Sequence, residues 1–392
     1  MKIITFIIFS IILDFNLFSD EIYIVESVPL ETVYGSSLTL RTYDVWNDMI
    51  SSATKTIDFE EFYIENKKDE DLYNIMGIVL RKAKQGIKIR ILIEKAMMKT
   101  SYEYIKALEK ENIEIRVIDF KKLYGGIQHS KFFIVDNRDL FVGSQNLDWR
   151  SLTHIHELGV RIKSEKAASE LLDLFNYDFE VSKDYNKKNS LKIESKLSCP
   201  NFSQAKLNGK DVSYCFAYSP EGGGDYKSEI AEIIDLIRNS KKNIYAQVMT
   251  YSDKNKFYLI KNELIKAAKR GVKVKIIFSD WAVGKKTKDK MIKKLLKNGI
   301  EIKISSIPQY SKGYIPYSRV EHLKYIIVDD EYFLISTSNW GYDYFYETRG
   351  VSVLIKGSEA GRIAADIFNI DWNLPYVKYF DPTKCFESLK KE

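Results

Sequence analysis

Residues 129–146 read HSKFFIVDNRDLFVGSQN, and residues 322–339 read HLKYIIVDDEYFLISTSN. The two stretches align without a gap. His129 and His322, Lys131 and Lys324, Asp136 and Asp329, and Asn146 and Asn339 are each 193 positions apart. FNYDF at 175–179 matches FNIDW at 368–372 at the same offset. Upstream, RKAKQGIKIRILI at 81–93 matches KAAKRGVKVKIIF at 266–278, and ENIEIRV at 111–117 matches NGIEIKI at 298–304. Gly86 and Gly271 are only 185 apart, so the second half carries extra loop residues before its motif, around SIPQYSKGYIPYSR. Matches held at a fixed offset mean an internal repeat. The chain reads as two homologous units, 28–182 and 212–377, joined by a polar linker at 183–211.

Each unit alternates strand and helix. In the first, TIDFEEFYIE, IKIRILIE and IEIRVI have strand character, and LYNIMGIVLRKAKQ and SYEYIKALEKE have helical periodicity. Gly86 and Gly271 follow helices as stop signals. The alternation predicts an α/β class, with a mainly parallel or mixed sheet covered by helices on both faces.

A chain of 392 residues suits two units of about 150–200 residues. The net charge of +6 is a weak basic excess. It fits an anionic substrate but falls short of the basic stripe of a dedicated nucleic-acid binder. Met1-Lys2 is followed by an eleven-residue apolar run, Ile3–Leu13. Residues 1–19 read as a signal peptide cleaved near Ser19, which predicts export; an uncleaved membrane anchor is the alternative. Cys199 and Cys215 flank a short loop and could pair, leaving Cys385 odd, or all three thiols could be free. No CxxC is present, which argues against a thiolate metal site.

The four histidines are His129, His154, His156 and His322. His129 and His322 sit in H-x-K-x-x-x-x-D. Residues i and i+2 of a strand share a face, so each His projects with its Lys. A phosphodiester is an anion and repels nucleophiles until its oxygens are neutralised. Lys131 and Lys324 supply positive charge, and the amides of Asn146 and Asn339 donate hydrogen bonds. One neutral imidazole can attack phosphorus and form a phosphohistidine. A second, protonated imidazole can give its proton to the leaving alkoxide and then activate water. This chemistry requires no metal and no other cofactor.

Carboxylates are expected to orient the imidazoles. Glu157 follows the first motif and Glu347 the second, while Asp136 and Asp329 either assist or lock their own turns. Ser144, Trp149, Thr337, Trp340 and Tyr344 are candidate substrate contacts. The aromatics among them, with Tyr342 and Phe345, are open to two readings, as base-stacking surfaces or as packed core. A lone H-x-K is usually a surface pair, but two in register with matching Asp and Asn reverse that reading. His154 and His156 have no histidine counterpart in the repeat and read as surface or supporting residues; H-x-H alone is a poor metal argument.

With these residues in place, the two motifs resemble the HKD motifs of the phospholipase D superfamily. GSQNLDWRSLTHIHELGV (143–160), YIPYSRVEHLKY (314–325) and TSNWGYDYFYETRGVSVLI (337–355) are similar to its animal three/four-like branch and poxviral members, as is IVESVP at 24–29. The resemblance covers nearly the whole chain after the leader. It implies two α/β/α sandwich lobes related by a pseudo-twofold axis, with the active site at their interface. It implies His129, Lys131, Asn146, His322, Lys324 and Asn339 as that site. It also implies a 5′-exonuclease on single-stranded DNA or RNA. Ser336-Thr337 departs from the Gly-Ser of the family pattern. The alternatives are a phospholipase D or transphosphatidylase acting on phospholipids, and a scaffold without activity, against which both intact H-x-K pairs argue. Monomer and homodimer are both open.

Overall fold

The computed structural model describes residues 19–383, apart from positions 190, 194 and 285. The leader and Cys385 lie outside the described residues.

The first half forms a mixed sheet of seven main strands, with the two-residue strand Leu40–Arg41 added in parallel beside Val25 and Glu26. Its main strands are β1 (Asp20–Ser27), β2 (Thr56–Glu61), β3 (Lys88–Glu94), β4 (Glu114–Ile118), β5 (Phe132–Val135), β6 (Asp139–Gly143) and β7 (Glu157–Lys163). Strands β4, β3 and β2 run parallel, and β5, β6, β7 and β1 continue from β2 with antiparallel pairings. The second half repeats this. After a connecting strand β8 (Ser203–Leu207) come β9 (Lys210–Ser219), β10 (Asn243–Val248), β11 (Lys273–Ser279), β12 (Glu301–Ser305), β13 (Lys324–Val328), β14 (Tyr332–Ser336) and β15 (Gly350–Lys356). Their order, β12–β11–β10–β13–β14–β15–β9, is that of the first sheet, with a further strand, β16 (Val377–Tyr379), on the β12 edge.

The composition of these strands explains their burial. β5 is FFIV, and β13 is YIIV behind Lys324; both apolar runs are buried on both faces, as expected for central strands. The helices Asp71–Lys84 and Leu259–Lys269 end at Gly86 and Gly271, whose φ values of +86° and +90° are left-handed and free of strain for glycine. The hairpins β5–β6 and β13–β14 turn through Asp136-Asn137 and Asp329-Asp330, all with positive φ. Short polar residues tolerate that conformation best after glycine.

Two boundaries differ from the sequence reading. The first unit begins before residue 28, because β1 pairs with β7 from Glu21 to Ser27. The stretch 183–211 is more than a linker: β8 pairs with β1 in parallel and with β9 in antiparallel fashion, and so joins the two sheets. Cys199 and Cys215 form a disulfide that ties this segment to β9. One apolar cluster runs through both halves, from Ile22, Phe132 and Leu174 to Tyr218, Phe333 and Phe368; two further clusters fill the remaining face of each sheet.

Candidate active site

Each half delivers its histidine against the other half. His129 N–H donates to the Arg349 carbonyl at 3.0 Å, and His322 N–H donates to the His156 carbonyl at 2.9 Å. Gln128 bridges Arg349 and Glu321 bridges His156, in matching parallel pairs. Arg349 and His156 are themselves 193 residues apart, so the crossing obeys the repeat. Buried charges hold it in place. Arg349 grips Asp178 with two bonds of 2.7 and 2.9 Å. His156 lies between Glu321 (2.7 Å) and Glu26 (2.9 Å). Burial opposes charge on His156, but Glu321, Asp371 and Glu26 outweigh it and hold the imidazole well above its usual range. This histidine is therefore a fully buried interface residue.

The crossing brings His129, His322, Asn146 and Asn339 to one cavity of about 450 Å³. Its walls include Phe62, Tyr63, Met97, Arg150, Met249, Trp281, Tyr317 and Tyr344. Lys131 Nζ donates to the His129 carbonyl at 2.7 Å, and Lys324 Nζ to the His322 carbonyl at 2.6 Å. Both ammoniums are buried. Desolvation and the neighbouring Lys324 push Lys131 well below its usual range, and desolvation brings Lys324 to about 7 despite Glu157 and Glu321. Beside Lys131, burial drives Glu61 well above the usual carboxylate range, and its Oε2 has no hydrogen-bond partner. The Oδ1 atoms of Asn146 and Asn339 are likewise buried without partners. A larger depression of about 690 Å³ lies elsewhere, lined by Lys290, Lys293, Lys294 and Lys297, and holds none of the motif residues.

The two imidazoles differ. His322 Nδ1 lies 2.7 Å from Glu157 Oε2, whose other oxygen accepts from Ser151 at 2.9 Å. His129 Nδ1 faces the Thr337 carbonyl at 3.0 Å. A carbonyl only accepts, so the His129 proton sits on Nδ1 and Nε2 keeps its lone pair. Burial, reinforced by Lys131, Lys324 and His322, holds His129 well below its usual range. Burial also lowers His322, against the pull of Glu157.

Glu347 therefore does not play the part expected of it. The position 193 residues after Glu157 is Gly350, which carries no carboxylate. A Cβ there would meet Ser338 Oγ at 2.3 Å and Ser219 Oγ at 2.6 Å, groups packed around the buried Glu229. Glu347 packs against Gly125, and its carbonyl accepts from Gly126. Asp136 and Asp329 lock strand ends. Asp136 accepts from the backbone of Thr54, Lys55 and Thr56, and Asp329 from that of Lys241, Lys242 and Asn243.

Of the five candidate substrate contacts, Tyr344 alone lines the cavity, its ring 5.2 Å from that of His129. Ser144 Oγ and Thr337 Oγ1 instead accept from the backbone of Leu158 and Val351. Trp149 and Trp340 are packed in the apolar clusters. Eleven of the wall residues were not among the sequence candidates, including those nearest the sheet. Phe62, Met249, Met97 and Trp281 follow β2, β10, β3 and β11, at the carboxyl ends of parallel strands where α/β sheets place their sites.

Duplicated α/β lobes that each bring a histidine and an asparagine to one cleft, with a buried lysine bonded to each histidine's carbonyl behind its wall, define a phosphodiester-cleaving class. The chain belongs to the phospholipase D-like family: the model described as "Cardiolipin synthase, PLD-like domain" matches residues 47–179 and 233–372. It is 31% identical to the virion nicking-joining enzyme of vaccinia virus (strain Western Reserve), over 94% of this chain and 92% of that one. It is 28% identical to the 5′-3′ exonuclease PLD3 of Xenopus laevis, over 91% and 80%. Among solved structures, a phosphatidylserine synthase from Haemophilus influenzae Rd KW20 shares the fold, with a TM-score of 0.62 at 13% identity over 86% of this chain and 85% of that one. The protein is a phosphoric diester hydrolase of this superfamily.

Proposed function

We propose that the protein hydrolyses single-stranded DNA or RNA from the 5′ end through a phosphohistidine on His129. The carrying observation is the inequality of the two rings: His129 faces a carbonyl and His322 a carboxylate. In the first step His129 Nε2 attacks phosphorus. The P–N bond forms, the P–O bond to the leaving nucleotide breaks, and His322 gives its Nε2 proton to the departing oxygen. Glu157 stabilises the imidazolium that this requires. In the second step His322 takes a proton from water. The water oxygen bonds to phosphorus, the P–N bond breaks, and His129 is released neutral. Lys131, Lys324, Asn146 and Asn339 hold the phosphoryl oxygens, and the bound anion restores charge to lysines that burial disfavours.

The nucleic-acid substrate is supported by the aromatic walls Phe62, Tyr63, Trp281, Tyr317 and Tyr344, and by relatives named for nicking-joining and exonuclease activity. Export through residues 1–19 is part of the same reading; amino-terminal sequencing of secreted protein tests it, a start at Met1 contradicting cleavage. For the substrate, 5′-labelled oligonucleotide and, separately, phosphatidylcholine with ethanol are incubated with the enzyme in chelator. Mononucleotide release is the expected outcome. Phosphatidylethanol without mononucleotides would replace this reading by the phospholipid one. His129→Ala should abolish phosphoenzyme formation and turnover, and His322→Ala should abolish turnover.

A further inference from the structure

The loop that lengthens the second half, 306–319, returns to the cavity and is pinned there. Arg319 donates from Nη1 to the Leu30 carbonyl (2.8 Å), from Nε to the Pro308 carbonyl (2.6 Å) and from its backbone to the His154 carbonyl (2.8 Å). Arg150 Nη1 donates to the Pro316 carbonyl at 3.2 Å, and Ser311 N–H to Glu31 at 2.8 Å. Between these anchors Tyr317 adopts φ +59°, a left-handed conformation that bulky side chains rarely take. Its ring is not paid for by burial, since the residue is 51% exposed. It nevertheless forms part of the cavity wall, as does His322 five residues later. Glycine would make this turn with less strain. A flat ring held on a fixed, strained backbone at the rim of a phosphodiester site points to a ligand that uses its face.

We propose that Tyr317 is a stacking platform for the nucleobase of the nucleotide that carries the departing oxygen. This rests on the nuclease reading, on His322 as the proton donor, and on the five-residue link that carries Tyr317 and His322 into the same cavity wall. Stacking on an aromatic face is tolerant of base identity, so the platform aids any single strand and none of the phosphate chemistry.

The test uses the full-length enzyme and single-stranded oligonucleotides with one abasic tetrahydrofuran residue on either side of the first scissile phosphate. Wild type and Tyr317→Phe should lose about tenfold or more in kcat/KM when the abasic residue is on the leaving side. Tyr317→Gly, which relieves the backbone, should melt no lower than wild type. It should show a similar loss on the intact strand and no further loss on the abasic one. If Tyr317→Gly pays the same additional abasic penalty as wild type, the stacking proposal falls while the nuclease reading stands. If wild type hydrolyses none of the oligonucleotides, the nuclease reading falls, and the platform with it.

Discussion

Replacing Glu157 by glutamine tests the asymmetry on which the mechanism rests. The carboxylate is fully buried and 2.7 Å from His322 Nδ1. A charge-assisted hydrogen bond in such a place is worth about 1.5–3 kcal/mol, or roughly 10- to 150-fold in rate. Geometry favours the upper end. Ser151 donates to the other oxygen of Glu157. A glutamine oriented to satisfy Ser151 turns its NH₂ toward His322 and opposes the Nδ1–H tautomer. The pH dependence carries a sign. Burial already holds His322 below 6.5, so the alkaline limb of kcat/KM, where the acid loses its proton, should lie below pH 6.5 in the wild type. Removing the carboxylate lowers His322 further and moves that limb to more acidic pH, so the loss is larger at pH 7 than at pH 5. The assay is a pH–rate profile on a labelled oligonucleotide, with Glu347→Gln as control, expected within about twofold of wild type at every pH. A Glu157→Gln enzyme within threefold of wild type with an unmoved limb, or a Glu347→Gln enzyme as impaired as Glu157→Gln, would refute the assignment.

Asp136→Asn and Asp329→Asn should each lower stability by about 2–3 kcal/mol, read by urea denaturation, while kcat per folded molecule stays unchanged, because both aspartates hold backbone amides of strand ends. Glu60, buried and close to Asp178, is raised to about 8. The native chain thus keeps a proton that the unfolded chain gives up above about pH 4.5, and stability falls as pH rises between those values. Glu60→Gln should remove that slope, so that the variant gains on wild type as pH rises through the window; parallel urea midpoints at pH 5 and 8 would contradict it. Removing the Cys199–Cys215 disulfide by a double alanine change releases the constraint across a sequence separation of 16 and should cost about 3 kcal/mol, seen as a lower Tm.

The repeat was legible because both halves face the same physical demands. Each needs an apolar central strand, an aspartate to cap a neighbouring strand's amides, and an asparagine at the end of the hairpin. Fixed spacing follows from fixed strand length, so the offset of 193 pairs the six candidate residues, and four of them, His129, His322, Asn146 and Asn339, meet at one cavity. The asymmetric features were harder. Glu347 lies near enough to the second motif to look like the partner of Glu157, but applying the offset strictly would have reached Gly350. Of the aromatics next to the motifs, Trp149, Trp340 and Phe345 take the packed-core reading and Tyr344 the other, a division that depends on tertiary packing and not on the motif spacing. The real walls come from residues after β2, β3, β10 and β11, far from the motifs in sequence and close only once the sheet forms. β1 was missed because its partner, β7, lies far along the chain, Ser27 pairing with Glu157 and Glu21 with Lys163.

Gly350 has a consequence for direction. A cleft made of two interchangeable halves would admit a nucleic-acid strand threaded either way, and half of all encounters would present the departing oxygen to the wrong ring. Omitting one carboxylate makes the ends of the cleft chemically distinct. Under the nuclease reading, the sense in which the enzyme travels along a strand is written by a side chain that is not there.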